Sequence, residues 1–405
     1  MSADRDAGAD RDASAEDDFR AEARAWLSAN VPTELPSGDT AEGFAHHVEW
    51  ERALFAARWS VVAWPAAYGG RDASLRQWLV FEEEYYRAGG PPRVTQNGIF
   101  LLAPTLFEFG TPQQRDQLLP RMAAAQDLWC QGWSEPGADS DLAAISSRAV
   151  RDETAGGWRL SGQKTWTTRG AFCTHMFGLF RTGGEGVHAD GDGSHADGDG
   201  ARAGGGRKRH HGLTYFLVPL DAPGVRVRGF ARLDGDEGFA EVFLDDVFVP
   251  DSAVLGEVGK GWQVAMATTG SERGLTLRSP GRFLATADRL VELARGRDEL
   301  DAVERDVVVR AWIGAQAYHE FTREQVDRLM DGARMGPESS LNKLFWSQLD
   351  IQLHEAALDL LGPDAEQDGP WSRGFLFSLA GPIYAGTNEI QRTIVAERVL
   401  GLPRR

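Results

Sequence analysis

The feature that most constrains this chain is a change of hydrophobic period that happens twice. Up to Leu128 apolar residues recur at helical spacing; between Ala144 and Val249 they come in short strand-like runs broken by Gly and Asp; from Trp262 the helical spacing returns. A period of 3.6 buries a stripe and a period of 2 buries a face, so one element type cannot serve both. The pattern predicts an α+β multidomain chain, and 405 residues suffice for two or three cores. The expected divisions are a disordered tail over 1–15, an N-terminal all-helical domain over 16–127, a middle β domain over 128–250 and a C-terminal helical bundle over 251–405.

The tail is rich in Ala and Asp and offers no large apolar group to offset ordering. Phe19, Ala23, Trp26 and Leu27 then mark a helix that Pro32 stops, and further helices are expected over 40–59, 97–109 and 112–124, with one more carrying Leu75, Leu79 and Tyr86. Strands are expected over 144–150, 158–165, 175–181, 213–219, 225–230 and 239–249. Between the third and fourth, residues 182–212 hold His188-Ala-Asp-Gly-Asp-Gly193 and its repeat at 195–200. Without an apolar residue in each turn this is no calcium β-helix, so a flexible hairpin insertion and no metal are expected, with the basic run Arg207 to His211 starting the next strand. In the last third, one helix covers 262–277, Ser279-Pro280 restarts the chain, and two stripes follow: Val308, Trp312, Ala315, His319, Thr322, Val326 and Leu329, then Leu341, Phe345, Leu349, Leu353, Ala356 and Leu360.

The balance of 43 basic and 60 acidic residues, net −17, repels phosphate backbones and argues against nucleic acid. No apolar run reaches the length of a membrane span, and the acidic N-terminus lacks a leader's basic and apolar regions, so a cytoplasmic protein is expected. Cys130 and Cys173 make no disulfide framework or metal spacing and read as core thiols.

Several segments carry chemistry. Trp129 to Ala143 reads Trp-Cys-Gln-Gly-Trp-Ser-Glu-Pro-Gly-Ala-Asp-Ser-Asp-Leu-Ala, where Pro136-Gly137 can turn main-chain amides toward a ligand. In Lys164-Thr-Trp-Thr-Thr-Arg-Gly170 the alternation puts Trp166 and Thr168 on one side of a strand, an indole beside a hydroxyl. Gly259-Lys-Gly-Trp262 opens a helix that reaches Glu272-Arg273, and Ile383-Tyr-Ala-Gly-Thr-Asn-Glu-Ile-Gln-Arg392 is a Gly-containing turn opening the last helix.

Together with Trp64-Pro-Ala-Ala-Tyr-Gly-Gly70 and Phe109-Gly-Thr-Pro-Gln-Gln-Arg115, these segments resemble the acyl-CoA dehydrogenase family, in order, from Phe19 to Pro403. The resemblance implies an FAD enzyme with a β-barrel-like middle domain. It assigns Trp133, Ser134, Trp166, Thr168, Thr387 and Glu389 to the flavin, with Thr387 and Glu389 reaching one bound mainly by a neighbouring subunit. Asp139, Ser140, Tyr384 and Gly386 are assigned to the substrate. Asp139 departs from the family's usual Gly and puts a carboxylate near the thioester arm.

The larger departure is Ala385, which stands where many members carry the Glu that removes the α-proton. In some branches the base is instead a Glu-Arg on the helix after Gly-x-Gly-Trp, and Glu272 and Arg273 hold that position. The implied reaction is α,β-dehydrogenation of an acyl thioester: Glu272 takes the α-proton, the β-hydride goes to flavin N5, the Ala385 backbone NH steadies the thioester oxygen, and Arg273 orients Glu272 or the cofactor. Electrons would pass to an electron-transferring flavoprotein, from a homotetramer, a homodimer or a hetero-oligomer. Two alternatives stand. Residues 295–310 lack the family's Arg-x-x-Phe-Gly flavin-diphosphate segment, and Asp359 with Gly362-Pro363 replaces a later one, which suits a non-catalytic or flavin-sharing subunit. A flavin oxidase or monooxygenase on the same fold is the other.

Overall fold

The computed structural model describes residues 2–182, 210–273, 280–333 and 336–403, with residues 2–13 and 271–273 as backbone alone. Helix α1 (Ser2–Asn30) begins well before Phe19, through the segment expected to be a tail. Alanines and charged residues extend a helix already nucleated by the buried Phe19, Ala23 and Leu27 at little cost per residue. Helix α2 (Ala41–Ala56) starts where the Thr40 side chain accepts the Gly43 amide, and α3 (Leu75–Arg87) starts on a reciprocal Ser74–Gln77 cap. A π segment (Asn97–Leu102) runs into α4 (Ala103–Phe109), and α5 (Pro112–Ala123) opens on a Thr111–Gln114 cap with Pro112 at its first position. Trp59 and Phe81 stack with centroids 5.4 Å apart in this domain's core, beside Leu54, Leu79 and Tyr85.

Among the described residues the middle domain is one sheet of eight strands: β1 (Trp129–Gly132), β2 (Arg148–Asp152), β3 (Gly157–Thr168), β4 (His175–Arg181), β5 (Leu213–Pro219), β6 (Val225–Phe230), β7 (Phe239–Pro250) and β8 (Val254–Leu255). The order is β6-β7-β3-β2-β4-β5-β8, with β1 parallel to β4. Ala144, expected to begin a strand, instead ends a 3-10 turn over Leu142–Ala144, and β2 starts at Arg148. Strand β1 was hidden in the sequence because its residues are buried on both faces and do not alternate. The insertion expected over 182–212 lies outside the described residues except for Thr182 and residues 210–212, and His210 and His211 lie in a turn rather than starting a strand.

Helix α6 (Gly261–Arg273) crosses from the sheet to the bundle of α7 (Pro280–Arg295), α8 (Ala302–Met330) and α9 (Ser339–Leu361), followed by α10 (Pro370–Ser378) and α11 (Asn388–Ile394). A Cβ on Gly261 would stand 2.7 Å from the Thr214 backbone, so this glycine lets α6 lie directly on β5. The buried face of α8 is Val308, Ala311, Ala315, Tyr318, Thr322 and Val326, turned slightly from the expected stripe. Trp312 is 39% exposed, and His319 bonds Glu83 of α3 at 2.6 Å, one of the links that fix the N-terminal domain to the bundle. Phe345 and Leu341 are likewise exposed, and Trp346 takes the core position.

Candidate active site

Strand β1 delivers the chain into Trp133 and Ser134 beside β4. The Ser134 carbonyl accepts the Thr165 amide at 2.9 Å, which ties this loop to β3. Glu135 turns inward and is 3% exposed. Its oxygens accept from the Ser146 amide at 2.6 Å, the Ser147 amide at 3.0 Å and Lys164 Nζ at 2.8 Å. Burial opposes its ionisation, but the Lys164 charge and these hydrogen bonds outweigh that and hold the carboxyl down at about 2. Lys164 also donates to the Leu179 carbonyl at 2.8 Å; burial pulls its ammonium below the ordinary lysine value, and Glu135 offsets part of this. With Glu135 pinned, the loop turns through the Glu135–Ala138 bridge and leaves Asp139 and Ser140 exposed.

On the strand facing this loop, Trp166 sits in a bulge of the β3–β7 ladder with φ +56, a left-handed conformation that costs a bulky residue about 1–2 kcal/mol. The bulge turns its indole outward, 53% exposed, edge-on to Phe230 at 5.3 Å and Phe239 at 5.6 Å. Thr168, two residues on, is half-buried and Thr167 between them is buried, but the bulge breaks the regular alternation of sides across Trp166. Arg169, also left-handed at φ +54, closes the segment by donating to Asp39 at 2.6 Å, and Arg232 pairs with the other Asp39 oxygen at 2.7 Å.

Helix α6 is fixed by Thr268, whose hydroxyl meets Thr105 at 2.9 Å and the Tyr215 hydroxyl at 3.4 Å. Glu272 and Arg273 form its last turn, and their side chains lie outside the described residues.

In the C-terminal turn Tyr384 packs on Trp346 with centroids 5.7 Å apart. Ala385 and Gly386 follow with φ +56 and +78, and Thr387 caps α11 by accepting the Ile390 amide. The Asn388 side-chain Oδ1 accepts from Lys343 Nζ at 2.7 Å and Ser347 Oγ at 3.2 Å, while Gln391 Nε2 donates to the backbone carbonyls of Ala385 at 3.0 Å and Gly386 at 3.3 Å. Glu389 is exposed beside Arg392. The structure thus builds two groups. Trp133, Ser134, Trp166 and Thr168 gather where β1 and β3 end, and Tyr384 to Glu389 gather on α9 and α11. No hydrogen bond or ion pair among the described residues joins the two groups.

The first group fits a planar, hydrogen-bonding cofactor. An outward indole is held strained between two rings, and the buried Trp133 Nε1 has no hydrogen-bond partner among the described residues. The chain matches the family descriptions "Acyl-CoA dehydrogenase, N-terminal domain" over residues 13–126, "middle domain" over 130–196 and "C-terminal domain" over 259–400. The chain belongs to the acyl-CoA dehydrogenase family. It is similar to Acyl-CoA dehydrogenase IpdE1 of Mycolicibacterium smegmatis, 39% identical over 95% of this chain and 97% of that one. It is also similar to Acyl-CoA dehydrogenase FadE34 of Mycobacterium tuberculosis, 34% identical over 84% of this chain and 44% of that longer protein. Among solved structures its fold follows the Tcur3481-Tcur3483 steroid ACAD, with a TM-score of 0.81 at 24% identity over 97% of this chain and 98% of that one. It follows the ChsE4-ChsE5 complex from Mycobacterium tuberculosis with a TM-score of 0.80 at 25% identity, over 96% and 98%.

The family is FAD-dependent, and this chain is an oxidoreductase of the class acting on CH–CH groups. No helix among the described residues is long and apolar enough to cross a membrane. Sequence reasoning missed Glu135, Asp39, Lys343 and Gln391. Glu135, Lys164 and Gln391 lie inside the quoted motifs, and the usable signal was a charged or amide residue locked between ligand-facing neighbours.

Proposed function

We propose that the protein binds FAD and dehydrogenates an acyl thioester between Cα and Cβ, with Glu272 as base. The observation that carries this reading is Trp166, a strained, outward indole on the strand tied to the Ser134 loop. FAD, when bound, supplies the hydride acceptor for the β-hydrogen. Trp166 offers a ring face to it, and Trp133, Ser134 and Thr168 offer an N–H and hydroxyls. Ala385 has no carboxylate, so the α-proton falls to Glu272 on the last turn of α6, with Arg273 orienting it. The Ala385 amide donates to the thioester oxygen as negative charge gathers there. Asp139, Ser140, Tyr384 and Gly386 flank the thioester arm, and Thr387 and Glu389 face a flavin bound mainly by a neighbouring subunit.

An electron-transferring flavoprotein reoxidises the enzyme in this reading. A second reading, a flavin-sharing subunit of a hetero-oligomer, is favoured by the missing Arg-x-x-Phe-Gly segment in residues 295–310. The ChsE4-ChsE5 structure is of a two-protein complex, which is the kind of assembly this would be.

Anaerobic titration of the purified protein with a panel of acyl thioesters tests the proposal. Flavin bleaching by one class of thioester, lost in Glu272→Gln, is the expected result. Protein that carries no flavin, or stays yellow with every thioester, overturns it in favour of the subunit reading.

A further inference from the structure

The peptide groups after Ala385 are held from one side by a single buried amide. Gln391 is fully buried on α11, and its Nε2 donates to the Ala385 carbonyl at 3.0 Å and to the Gly386 carbonyl at 3.3 Å. A flipped amide would set its oxygen against both carbonyl oxygens, so the orientation is forced. The cost of that orientation is visible: Gln391 Oε1 is buried with no partner among the described residues.

No cis peptide occurs among the described residues, and in a trans peptide the C=O and N–H point in opposite directions. Both carbonyls face Gln391, so the amides of Gly386 and Thr387 face away from it. Two successive left-handed residues, Ala385 among them with a Cβ, persist only when their surroundings over-determine them. Gln391 supplies that determination on one side, and Lys343 and Ser347 supply it on the other through Asn388.

We propose that Gln391 is a positioning residue for the thioester carbonyl: by fixing the two peptides that follow Ala385 it holds the left-handed turn, and through that turn the direction of the Ala385 amide that meets the oxygen as the α-proton leaves. This rests on the dehydrogenase reading above. Without the lock the turn still forms, but the Ala385 amide samples directions that miss the oxygen, and polarisation is lost before binding is.

The experiment uses the holoenzyme and phenylacetyl-coenzyme A, which has α-hydrogens and no β-hydrogen, so that proton removal is read without hydride transfer. Exchange of its α-hydrogens in deuterium oxide is followed by NMR, and its Kd by calorimetry. In Gln391→Leu, exchange is expected to slow by about tenfold or more while Kd moves by less than about threefold. Ala385→Gly, which relaxes the same turn without touching the core, is expected to show the same split and keeps the test open should the Leu variant not fold. Wild-type exchange in a folded Leu variant, or parallel losses of binding and exchange in both variants, overturns the positioning role. No exchange above buffer in the unaltered protein instead overturns the dehydrogenase reading on which it rests.

Discussion

Lys164 Nζ lies 2.8 Å from Glu135 Oε1, both side chains buried, and this ion pair joins the two segments that face the proposed cofactor. Glu135 immediately follows Ser134 and Lys164 precedes Trp166 by two residues, so this pair and the Thr165–Ser134 backbone bond together set the distance between loop and indole. Removing one partner of such a pair strands a buried charge and costs about 3–5 kcal/mol. Lys164→Met is therefore expected to lower stability by about 3 kcal/mol and to release flavin. The double variant with Glu135→Gln should recover part of the loss, since no charge is left behind. Denaturant titrations of the three proteins check both statements.

The same carboxylate gives a pH dependence. Its folded value is held at about 2 against an ordinary 4.5. Between those values the unfolded chain takes up a proton that the folded chain does not, so stability falls as pH drops through that window and is fully present above it. Glu135→Gln is expected to flatten the acid limb of stability between about pH 4.5 and 2. An unchanged limb would show that Glu135 titrates normally in the fold.

Asp39 is the second tether. It receives Arg169 from the end of β3 and Arg232 from beyond β6, and although burial opposes its charge, the two guanidiniums keep its carboxyl below the ordinary range. Asp39→Asn is expected to cost about 2–3 kcal/mol and to raise hydrogen exchange in a peptide spanning Trp166 to Gly170. Exchange unchanged there would mean the β3–β7 ladder alone holds Trp166 in place.

How legible was this in the sequence? The three-part division, the strands at 175–181, 213–219 and 225–230, and Pro280 opening a helix all follow from local period and backbone chemistry. Strand β1 did not, because burial on both faces erases alternation. The rotation of the α8 stripe toward Ala311 and Tyr318 was also hidden, since small residues in a tight helix contact carry little hydropathy. Trp166 and Ala385 were singled out by resemblance, but their shared left-handed geometry depends on a bulge and on Gln391. Glu135 and Asp39 had partners 29 and 130 residues away, a distance no local pattern reaches.

Thr268 tests the seating of α6. Its hydroxyl bonds Thr105 at 2.9 Å, across to the N-terminal domain, and faces Tyr215 in the sheet. Thr268→Val keeps the shape and removes the bonds, leaving a buried tyrosine hydroxyl short of a partner, at about 1–2 kcal/mol. Because Glu272 lies one helical turn further along α6, kcat/KM should fall several-fold more than stability alone explains. Equal kcat/KM at a temperature where both proteins are folded would separate α6 seating from catalysis.

The base itself can be moved. If Ala385 and Glu272 are compensating departures from one family pattern, then Glu272→Gln should abolish α-proton removal, and adding Ala385→Glu should restore part of it. The recovery has a ceiling set by the backbone. Residue 385 has φ +56, a conformation that disfavours any side chain by about 1–2 kcal/mol, and Gln391 holds it there, so a carboxylate at 385 is admitted at a known strain. Because the amides of the turn are unchanged by a side-chain replacement, the restored enzyme should keep the affinity of the unaltered protein for a non-oxidisable thioester while its pH–rate profile shifts to that of the new carboxylate. A double variant that binds thioester normally and still removes no α-proton would mean that the turn and Glu272 do not face the same α-carbon, and the assignment of Glu272 would fall with it.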